Sequence, residues 1–355
     1  MKIKIVVTLY WVIISVLPNQ GFSQGINLPD WKVLSEENKN TELTDTVFRE
    51  KPCVKLDGKI KSAIWNQSAS FRNFRMELDI AGAVMSGIGF HVTNDQNYQF
   101  IYFRPGYGGT EEAVQYIPIY NGALSWVMYG KYQSNADIKK LEWFHTAIEV
   151  RGNNLKVFTN YNKKPDMDIM TLSTSADKGT ILLRTMFGAS YFANVNVREL
   201  PEQITDWEIS EQMPADKMPD YSEVKKVKKW TKINETGDDY VNLCRYFEYP
   251  NGILFARHII KSEHEETKLL NIDFAGKIQI ILNGKEIFNY DKFKLDRIEE
   301  GTNRIRMNLK KGENELVFIT GGDGYLFANG TGYNSLGRLQ HQNWGFIASI
   351  GKIGM

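Results

Sequence analysis

Residues 71–104 read FRNFRMELDIAGAVMSGIGFHVTNDQNYQFIYFR and hold three consecutive runs in which apolar and polar side chains alternate. Gly82 separates the first two runs, and the polar stretch Asn94–Asn97 separates the last two, so both breaks are typical of turns. Alternation with a period of two predicts neighbouring β-strands with one face buried and the other free. We therefore expect an all-β fold with one sheet face that could hold a ligand. The three runs are Phe71–Ala81, Ser86–Val92 and Tyr98–Arg104.

Turn signals continue at similar spacing on both sides of this stretch, and no long helical pattern interrupts them. The dipeptides Asp57-Gly58, Asn121-Gly122 and Asn283-Gly284 are typical of tight hairpin turns. The first of them predicts that Val54–Leu56 and Ser62–Trp65 pair as a hairpin. Regularly spaced short strands of this kind predict two β-sandwich domains of the jelly-roll type in tandem.

Changes in composition predict four segments along the chain. Lys2 and Lys4 precede the apolar run Ile5–Leu17, which is shorter than a membrane-spanning helix, is followed by Pro18 and is typical of a signal peptide. We therefore expect a secreted or periplasmic protein without membrane insertion. Three prolines among acidic and polar residues at 201–219 indicate a linker. The predicted segments are a signal peptide at 1–24, a first sandwich at 25–203, a linker at 204–222 and a second sandwich at 223–355.

The charge balance argues against a nucleic-acid partner. The chain has 43 Lys and Arg against 42 Asp and Glu, so it has no long-range attraction for polyanions. The basic run 225–232, KKVKKWTK, could contact an acidic partner, but a solvated edge strand is the favoured interpretation. The two cysteines, Cys53 and Cys244, are predicted to be small buried side chains rather than a disulfide pair.

Aromatic residues make up 12% of the chain, which is high for a soluble protein. Rings suit pleated sheets, and they also stack on sugar rings. In Tyr98–Arg104 one set of alternating side chains suits the core, whereas the other combines rings with an arginine. Sugar recognition needs flat rings and planar hydrogen-bonding groups, although the rings could instead merely line a solvated sheet or pack under loops. The predicted carbohydrate-binding residues are His91, Tyr98, Tyr102, Arg104, Gln115, Tyr116, Trp126 and Tyr129.

No motif in the sequence has the spacing of a transition-metal site, a nucleophile elbow or a P-loop. His91 with Glu111 or Glu112 is an acid/base combination that no spacing supports. Asp95 and Asp323 are weak candidates for calcium ligands, although a plain turn is favoured at each. We expect no cofactor, with a structural calcium ion as the alternative.

Four segments of the first half form one pattern: FRNFRMELD at 71–79, SGIGF at 86–90, Trp143–Gly152 with Leu155–Asn160, and Tyr191–Val197. This pattern resembles the concanavalin A-like, laminin-G-like sandwiches of secreted carbohydrate-active proteins. Three segments of the second half, IQIILNG at 278–284, LKKGENEL at 309–316 and NWGF at 343–346, resemble a galactose-binding-like jelly roll. The resemblance implies two sandwiches that handle carbohydrate, and it transfers no ligand-binding residue.

The residues show whether this chain has the catalytic motif of one enzymatic subgroup of that first family. Laminarinase-type members pair a nucleophile with an acid/base on a Glu-x-Asp-x-x-Glu or Glu-x-Asp-x-Glu strand. Here Glu77-Leu78-Asp79 is followed by Ala81 and Gly82 at the two places where the second glutamate would stand. The subgroup's chemistry therefore does not carry over, and Glu77 and Asp79 are predicted to be ordinary outward-facing carboxylates.

The favoured hypothesis is a secreted carbohydrate-binding protein that acts in polysaccharide capture or degradation, with a poly- or oligosaccharide as partner. A glycoside hydrolase or polysaccharide lyase with its active site on the first sandwich is the alternative, and a structural or adhesive surface protein is the second. The missing catalytic pair favours the binder. Lyases, however, can work with Tyr, His and Arg, and the predicted face has all three.

Overall fold

The computed structural model describes residues 30–34, 43–59, 62–125, 130–172, 176–213, 218–234, 240–246, 252–294, 297–322, 325–326, 330–331 and 344–353. The predicted signal peptide and the candidates Trp126, Tyr129 and Asp323 lie outside these residues. The chain divides into two compact units, 1–198 and 199–355. Strands dominate both units, which confirms the predicted all-β class. No helix in the described ranges is long and apolar enough to cross a membrane.

The described residues of the first unit form short strands, with 3-10 turns at Pro105–Tyr107 and Gly130–Tyr132. Its strands are β1 (Trp31–Leu34), β2 (Asp45–Phe48), β3 (Lys51–Leu56), β4 (Ala63–Phe71), β5 (Phe74–Gly82), β6 (Met85–Asn94), β7 (Asn97–Phe103), β8 (Val114–Tyr120), β9 (Ala123–Leu124), β10 (Gln133–Ser134), β11 (Phe144–Arg151), β12 (Asn154–Thr159), β13 (Met167–Met170), β14 (Gly179–Met186) and β15 (Ser190–Glu199).

These strands form two sheets that face each other across an apolar core. The eight-stranded sheet has the order β1-β4-β14-β6-β7-β8-β10, with β9 paired to β8, and the seven-stranded sheet has the order β13-β12-β11-β5-β15-β3-β2. Apolar side chains from both sheets pack in one cluster. The rings of Phe74 and Phe90 meet across it with centroids 6.2 Å apart, and those of Phe103 and Phe144 at 5.3 Å. The first unit is therefore a β-sandwich, as predicted.

Sheet membership differs from the prediction at two places. The runs predicted as neighbours in 71–92 are β5 and β6, which belong to different sheets. The predicted hairpin through Asp57-Gly58 is also wrong, because β3 lies in the seven-stranded sheet and β4 in the eight-stranded one. At both places the chain crosses from one layer of the sandwich to the other, and a local turn signal does not distinguish a crossing from a hairpin.

The second unit contains one short α-helix among its described residues, α1 (Tyr221–Val224), and a 3-10 turn, Leu243–Arg245. Its strands are β16 (Glu202–Gln203), β17 (Asp206–Ile209), β18 (Thr231–Asn234), β19 (Tyr240–Asn242), β20 (Gly252–Ser262), β21 (Glu266–Leu282), β22 (Lys285–Lys294), β23 (Asn303–Leu309), β24 (Gly312–Gly322), β25 (Tyr325–Leu326), β26 (Gly330–Thr331) and β27 (Gly345–Lys352).

The 17-residue strand β21 connects the two layers of this unit. Its first half pairs with β23 and β27, whereas its second half pairs with β22 and β24. Side chains from both layers meet in one core, where the rings of Phe318 and Phe346 have centroids 5.0 Å apart. Gly276 lies between the two halves with φ +92°. The second unit is thus also a β-sandwich, in which one bent strand contributes to both layers.

Two predicted hairpins are confirmed at their turn residues. Asn121 and Gly122 join β8 to β9 with φ values of 51° and 79°, and Asn283 and Gly284 join β21 to β22 with 52° and 82°. Positive φ at both central residues matches the twist of the flanking strands and explains why Asn-Gly is favoured there.

The described residues of the stretch predicted as a linker, 204–213 and 218–222, contribute to the second sandwich. Strand β17 pairs with β18 and β20, and Trp207 is fully buried, with Nε1 donating to the Ile204 carbonyl at 2.9 Å. The basic run at 225–232 is not one edge strand, because β18 includes only its last two residues. Cys53 and Cys244 are both free thiols.

The bend of β21 generates a stability prediction. A Cβ on Gly276 would lie 2.3 Å from the Gly321 carbonyl oxygen, so Gly276→Ala adds a backbone clash to the strain of a positive φ. We expect the free energy of unfolding to fall by about 3 kcal/mol, from strain and overpacking together. Urea unfolding followed by tryptophan fluorescence measures it, because Trp207 and Trp344 are buried in this unit.

Gly301→Ala is the matched control. Gly301 also has a positive φ, +78°, but a Cβ there meets nothing within 4 Å. We expect a loss of about 1–2 kcal/mol from strain alone. Equal losses in the two variants would show that the contact with the Gly321 carbonyl adds nothing to the loss of stability.

Candidate functional site

The free face predicted for the Tyr98–Arg104 run is the outer face of the eight-stranded sheet. Ile101 and Phe103 of β7 pack in the core between the sheets, whereas the alternate side chains form a second apolar cluster on the opposite face. The period-two assignment of the two faces is therefore correct. The rings in the second cluster are Tyr98, Phe100 and Tyr102, and all three are buried.

Two glycines of β6 allow these rings to lie close to the sheet. A Cβ on Gly87 would lie 2.4 Å from the Phe100 ring, and one on Gly89 would lie 2.9 Å from the Tyr98 ring. The rings of Phe100 and Tyr102 also stack on each other, with centroids 5.6 Å apart. The expectation that Tyr98 and Tyr102 offer open stacking faces is therefore wrong, because packing on the sheet uses those faces.

The hydroxyl groups of these tyrosines have polar partners on the same face. Arg184 Nη1 donates to the Tyr98 hydroxyl at 2.7 Å, and the Tyr102 hydroxyl donates to Gln115 Oε1. Burial raises the pKa of Tyr98, and it raises the pKa of Tyr102 to about 12. Both hydroxyls are therefore protonated at neutral pH and act as hydrogen-bonding groups rather than bases.

In the amide of Gln115, the oxygen has a hydrogen-bonding partner and the nitrogen has none among the described residues. The residue is 2% exposed, and its Nε2 has no hydrogen-bonding partner in the described part of the chain. A buried donor without a partner costs about 1–3 kcal/mol, so such a group needs an explanation. An acceptor oxygen supplied by a ligand or a water molecule would satisfy it.

Arg104 lies at the end of β7, beyond the ring layer. Its Nη1 pairs with Glu112 Oε2, and its guanidinium carbon lies 3.7 Å from the centroid of the Tyr107 ring. The Arg104 side chain is partly buried, and Tyr107 is exposed. The rim of the face thus combines a cation, a carboxylate and an accessible ring.

Tyr116 and His91 lie away from this ring layer. The Tyr116 side chain packs in the core between the sheets, and its hydroxyl donates to Gln99 Oε1 and accepts from the Leu172 amide at 2.9 Å. Burial raises the pKa of Tyr116. A strand alternates its side chains, so Tyr116 and its neighbour Gln115 face opposite ways.

His91 lies at an irregularity of β6, with φ 49°. Its Nε2 is 2.9 Å from the Arg72 carbonyl oxygen, and burial lowers the pKa of His91. His91 and Tyr98 both line a small cavity of about 30 Å³, which is large enough to hold a water molecule. The structure thus brings Tyr98, Tyr102, Gln115 and Arg104 to one face, with His91 near its end.

Of the two calcium candidates, Asp95 is described and lies in a turn. Asp95 is exposed in a turn in which Asn94 Oδ1 accepts from the Gln96 amide at 2.9 Å and from Asn97 Nδ2 at 3.1 Å. Within the described ranges, no three His, Cys, Asp or Glu side chains are grouped as they would be to hold a metal ion.

A second polar cluster lies on the outer face of the seven-stranded sheet, and we name it the Asp79 cluster. Asp79 Oδ1 is 2.9 Å from His145 Nδ1, and Asp79 Oδ2 accepts from Lys51 Nζ and from Asn194 Nδ2, each at 2.7 Å. The four residues belong to β5, β11, β3 and β15, which are consecutive in the sheet. The cluster consists of Asp79, His145, Lys51 and Asn194.

The carboxylate of Asp79 stays ionised despite its burial. Burial acts to raise its pKa, but the hydrogen bonds from His145, Lys51 and Asn194 together outweigh that effect and lower the pKa to about 2. An ionised Asp79 accepts a hydrogen bond from His145 Nδ1–H, and this bond fixes the tautomer and the orientation of the imidazole. In the part of the chain that the structure describes, His145 Nε2 has no hydrogen-bonding partner.

Aromatic rings surround the Asp79 cluster. The Tyr161 ring stacks on the His145 imidazole with centroids 4.0 Å apart and planes 7° apart. Lys51 Nζ lies 4.9 Å from the centroid of a Trp143 ring. Phe48 and Tyr191 stack on each other beside them, with centroids 3.9 Å apart.

Sequence reasoning missed this cluster and also missed Arg184. Asp79 lies in a strand whose carboxylates the sequence indicates as ordinary, and His145 follows 66 residues later. The sequence does place His145 near the start of one alternating strand and Asp79 near the end of another. Only the register of β5 against β11, however, brings the two side chains together.

Taken together, these features define a β-sandwich domain with polar groups placed on both outer sheet faces. Residues 20–198 match the model of the 3-keto-alpha-glucoside-1,2-lyase-like domain, which covers half of the chain, and the chain belongs to that family. The resemblance to carbohydrate-active sandwiches is therefore supported, whereas the concanavalin A-like or laminin-G-like classification stays a prediction.

No curated protein matches the chain in sequence. Among solved structures, a carbohydrate-binding module from Bacillus subtilis is 19% identical, covers 49% of this chain and 98% of its own, and has a TM-score of 0.38. A glycosyl hydrolase homologue from Parabacteroides distasonis is 22% identical, with coverages of 48% and 99% and a TM-score of 0.33. Domain 4 of an arabinanase from Geobacillus stearothermophilus is 13% identical, with coverages of 48% and 81% and a TM-score of 0.30. These values are too low to assign a function.

The Asp79 cluster generates a pH prediction. Because folding lowers the pKa of Asp79 from 3.8 to about 2, its stabilising contribution is present above pH 3.8 and is lost as pH falls toward 2. The contribution is about 2 kcal/mol at neutral pH. Asp79→Asn should remove it and flatten the acid limb of stability against pH between 4 and 2, as measured by urea unfolding at stepped pH.

Asp168→Asn is the control for that experiment, since Asp168 forms a long, exposed ion pair with Lys156 at 3.9 Å. Its stability curve should follow that of the wild type. An acid limb in Asp79→Asn as steep as that of the wild type would contradict the assignment.

Proposed function

We propose that the first unit is a carbohydrate-active domain that binds a saccharide on the outer face of the eight-stranded sheet. The observation that carries the proposal is the Gln115 amide, which is buried beside Tyr102 and whose Nε2 has no hydrogen-bonding partner among the described residues. A pyranose hydroxyl is an acceptor of suitable size for such a donor. Arg104 and Tyr107 at the rim would supply a charged fork and an accessible ring.

Membership in the 3-keto-alpha-glucoside-1,2-lyase-like family supports a saccharide as the ligand class. It also favours a second candidate function, a lyase that removes a proton from C2 while the C1–O bond breaks. That elimination needs a base. The hydroxyls of Tyr98 and Tyr102 stay protonated at neutral pH because their pKa values are raised, so neither is available as a base. Glu112 at the rim is paired with Arg104. The described groups of this face therefore favour binding over elimination.

The wider role is part of the same proposal. The apolar N-terminal run supports export, so the protein would act outside the cytoplasm in polysaccharide capture or degradation. The second sandwich would then be an accessory galactose-binding-like module. Its β-sandwich fold is compatible with that role.

The binding site can be tested by replacing both partners of one hydrogen bond. The double variant Tyr102→Phe/Gln115→Met removes the open donor and its neighbour with similar volumes, so stability should change little. We expect saccharide affinity to fall at least tenfold, as measured by isothermal titration calorimetry with maltohexaose, cellohexaose and laminarihexaose.

The matched control is Tyr116→Phe/Gln99→Met. This pair forms the same kind of hydrogen bond but faces the core between the sheets. It should lose stability, because the Leu172 amide and carbonyl also bond to these two side chains and would be left unpaired, and it should keep affinity. Unchanged affinity in the Tyr102/Gln115 variant would contradict the placement of the site on this face.

The lyase alternative has its own test. Incubation of the wild type with 3-keto glucosides should give no unsaturated product if the domain only binds, as followed by ultraviolet absorbance and mass spectrometry. Turnover that is abolished in Glu112→Gln and retained in Glu111→Gln would instead establish elimination with Glu112 as the base.

A further inference from the structure

An exposed tyrosine ring lies on the opposite side of the sandwich from the proposed site. Tyr161 is 76% exposed, yet it is held parallel to the His145 imidazole with centroids 4.0 Å apart. One ring face is therefore covered by histidine, and the other is open to solvent. An aromatic side chain that is both exposed and fixed in orientation loses little conformational entropy when a ligand stacks on it.

The backbone at Tyr161 is strained in a way that positions this ring. Asn160 and Tyr161 have consecutive positive φ values of 51° and 61°. Residues other than glycine are strained in this region, and such residues cluster at functional sites. The Asn160 amide donates to the His145 carbonyl at 2.8 Å, and Asn160 Nδ2 donates to the Asp137 carbonyl at 2.7 Å. These bonds hold the turn against the start of β11.

Hydrogen bonding to Asp79 orients the His145 imidazole beneath the Tyr161 ring. Asp79 fixes His145 through Nδ1, and Asn194, which also has a positive φ of 52°, donates to the same carboxylate. Packing alone would be satisfied by apolar side chains at these positions. The arrangement instead leaves an imidazole nitrogen, Nε2, free beside a fixed ring.

From this geometry we propose that the outer face of the seven-stranded sheet carries a second saccharide-binding site. The open face of Tyr161 is the stacking platform for a pyranose ring, and His145 Nε2 bonds a hydroxyl at its edge. The choice of a saccharide rests on the proposed function. A neutral sugar fits the charges, because the Asp79 carboxylate is matched by Lys51 and the cluster has no net charge when His145 is neutral.

Two sites on opposite faces have a functional consequence. A polymeric ligand held at one face leaves the other face free to engage a second chain, or a distant part of the same chain. Bivalent engagement raises apparent affinity for a polysaccharide well above that for a short oligosaccharide. The protein would therefore retain or bridge polysaccharide chains.

Calorimetric stoichiometry tests the proposal with the same three hexasaccharides. We expect two sites per chain in the wild type and one in Tyr161→Ala, with affinity at the lost site weakened at least tenfold. Tyr161→Phe keeps the ring and should stay within threefold of the wild type. His145→Ala should weaken the same site.

Phe187→Ala is the matched control, because Phe187 is 69% exposed with φ 60° and lies outside the Asp79 cluster. It should keep both sites, which separates loss of a stacking ring from loss of any exposed ring at a left-handed position.

The outcomes separate this inference from the proposed function. Loss of one site in Tyr161→Ala and of the other in Tyr102→Phe/Gln115→Met supports both. A single site that only Tyr161→Ala removes supports the inference and overturns the first placement. A stoichiometry that Tyr161→Ala leaves unchanged overturns the inference alone. No binding of any of the three hexasaccharides by the wild type overturns both.

Discussion

The eight-stranded sheet buries side chains on both of its faces, and this constraint shapes the first unit. Every residue of β7 after Asn97 is buried, with Phe103 in the core and Phe100 in the outer cluster. Rings on the outer face fit because β6 has glycines opposite them. Each hydroxyl that becomes buried must find a partner, and the chain provides Arg184 and Gln115. The Gln115 amide nitrogen is the point where this matching stops, because it is buried without a hydrogen-bonding partner among the described residues.

The seven-stranded sheet differs from the eight-stranded sheet because its outer face carries a polar cluster. There a single carboxylate, Asp79, joins side chains of four adjacent strands. Removing one donor would leave a buried charge short of a partner, which costs more than the bond itself contributes. The geometry of His145 is thus coupled to the register of the whole sheet, and a rigid scaffold of that kind suits a binding group.

Local patterns predicted the strands and some turns well, because period-two alternation and Asn-Gly turns are properties of neighbouring residues. Asn121-Gly122 and Asn283-Gly284 form the hairpins expected of them. Asp57-Gly58 does not, because the layer that β4 joins is decided by strands distant in sequence. The same limit hid the pairing of Asp79 with His145. It also hid Trp207, whose polar surroundings in sequence indicate a linker although its ring fills the second core.

Each unit holds a buried aspartate paired with a lysine, but the two carboxylates differ in their other hydrogen-bonding partners. Asp273 accepts from Lys294 Nζ at 2.6 Å, from the Glu299 amide at 2.8 Å and from Thr302 Oγ1 at 3.3 Å. Those donors hold a loop and a strand in place, and their hydrogen bonds to Asp273 serve the fold. Asp79 also holds a lysine, but one of its donors is an imidazole whose second nitrogen is open beneath an exposed ring. This difference in hydrogen-bonding partners is why we propose a binding role for the Asp79 cluster and none for the ion pair of Asp273.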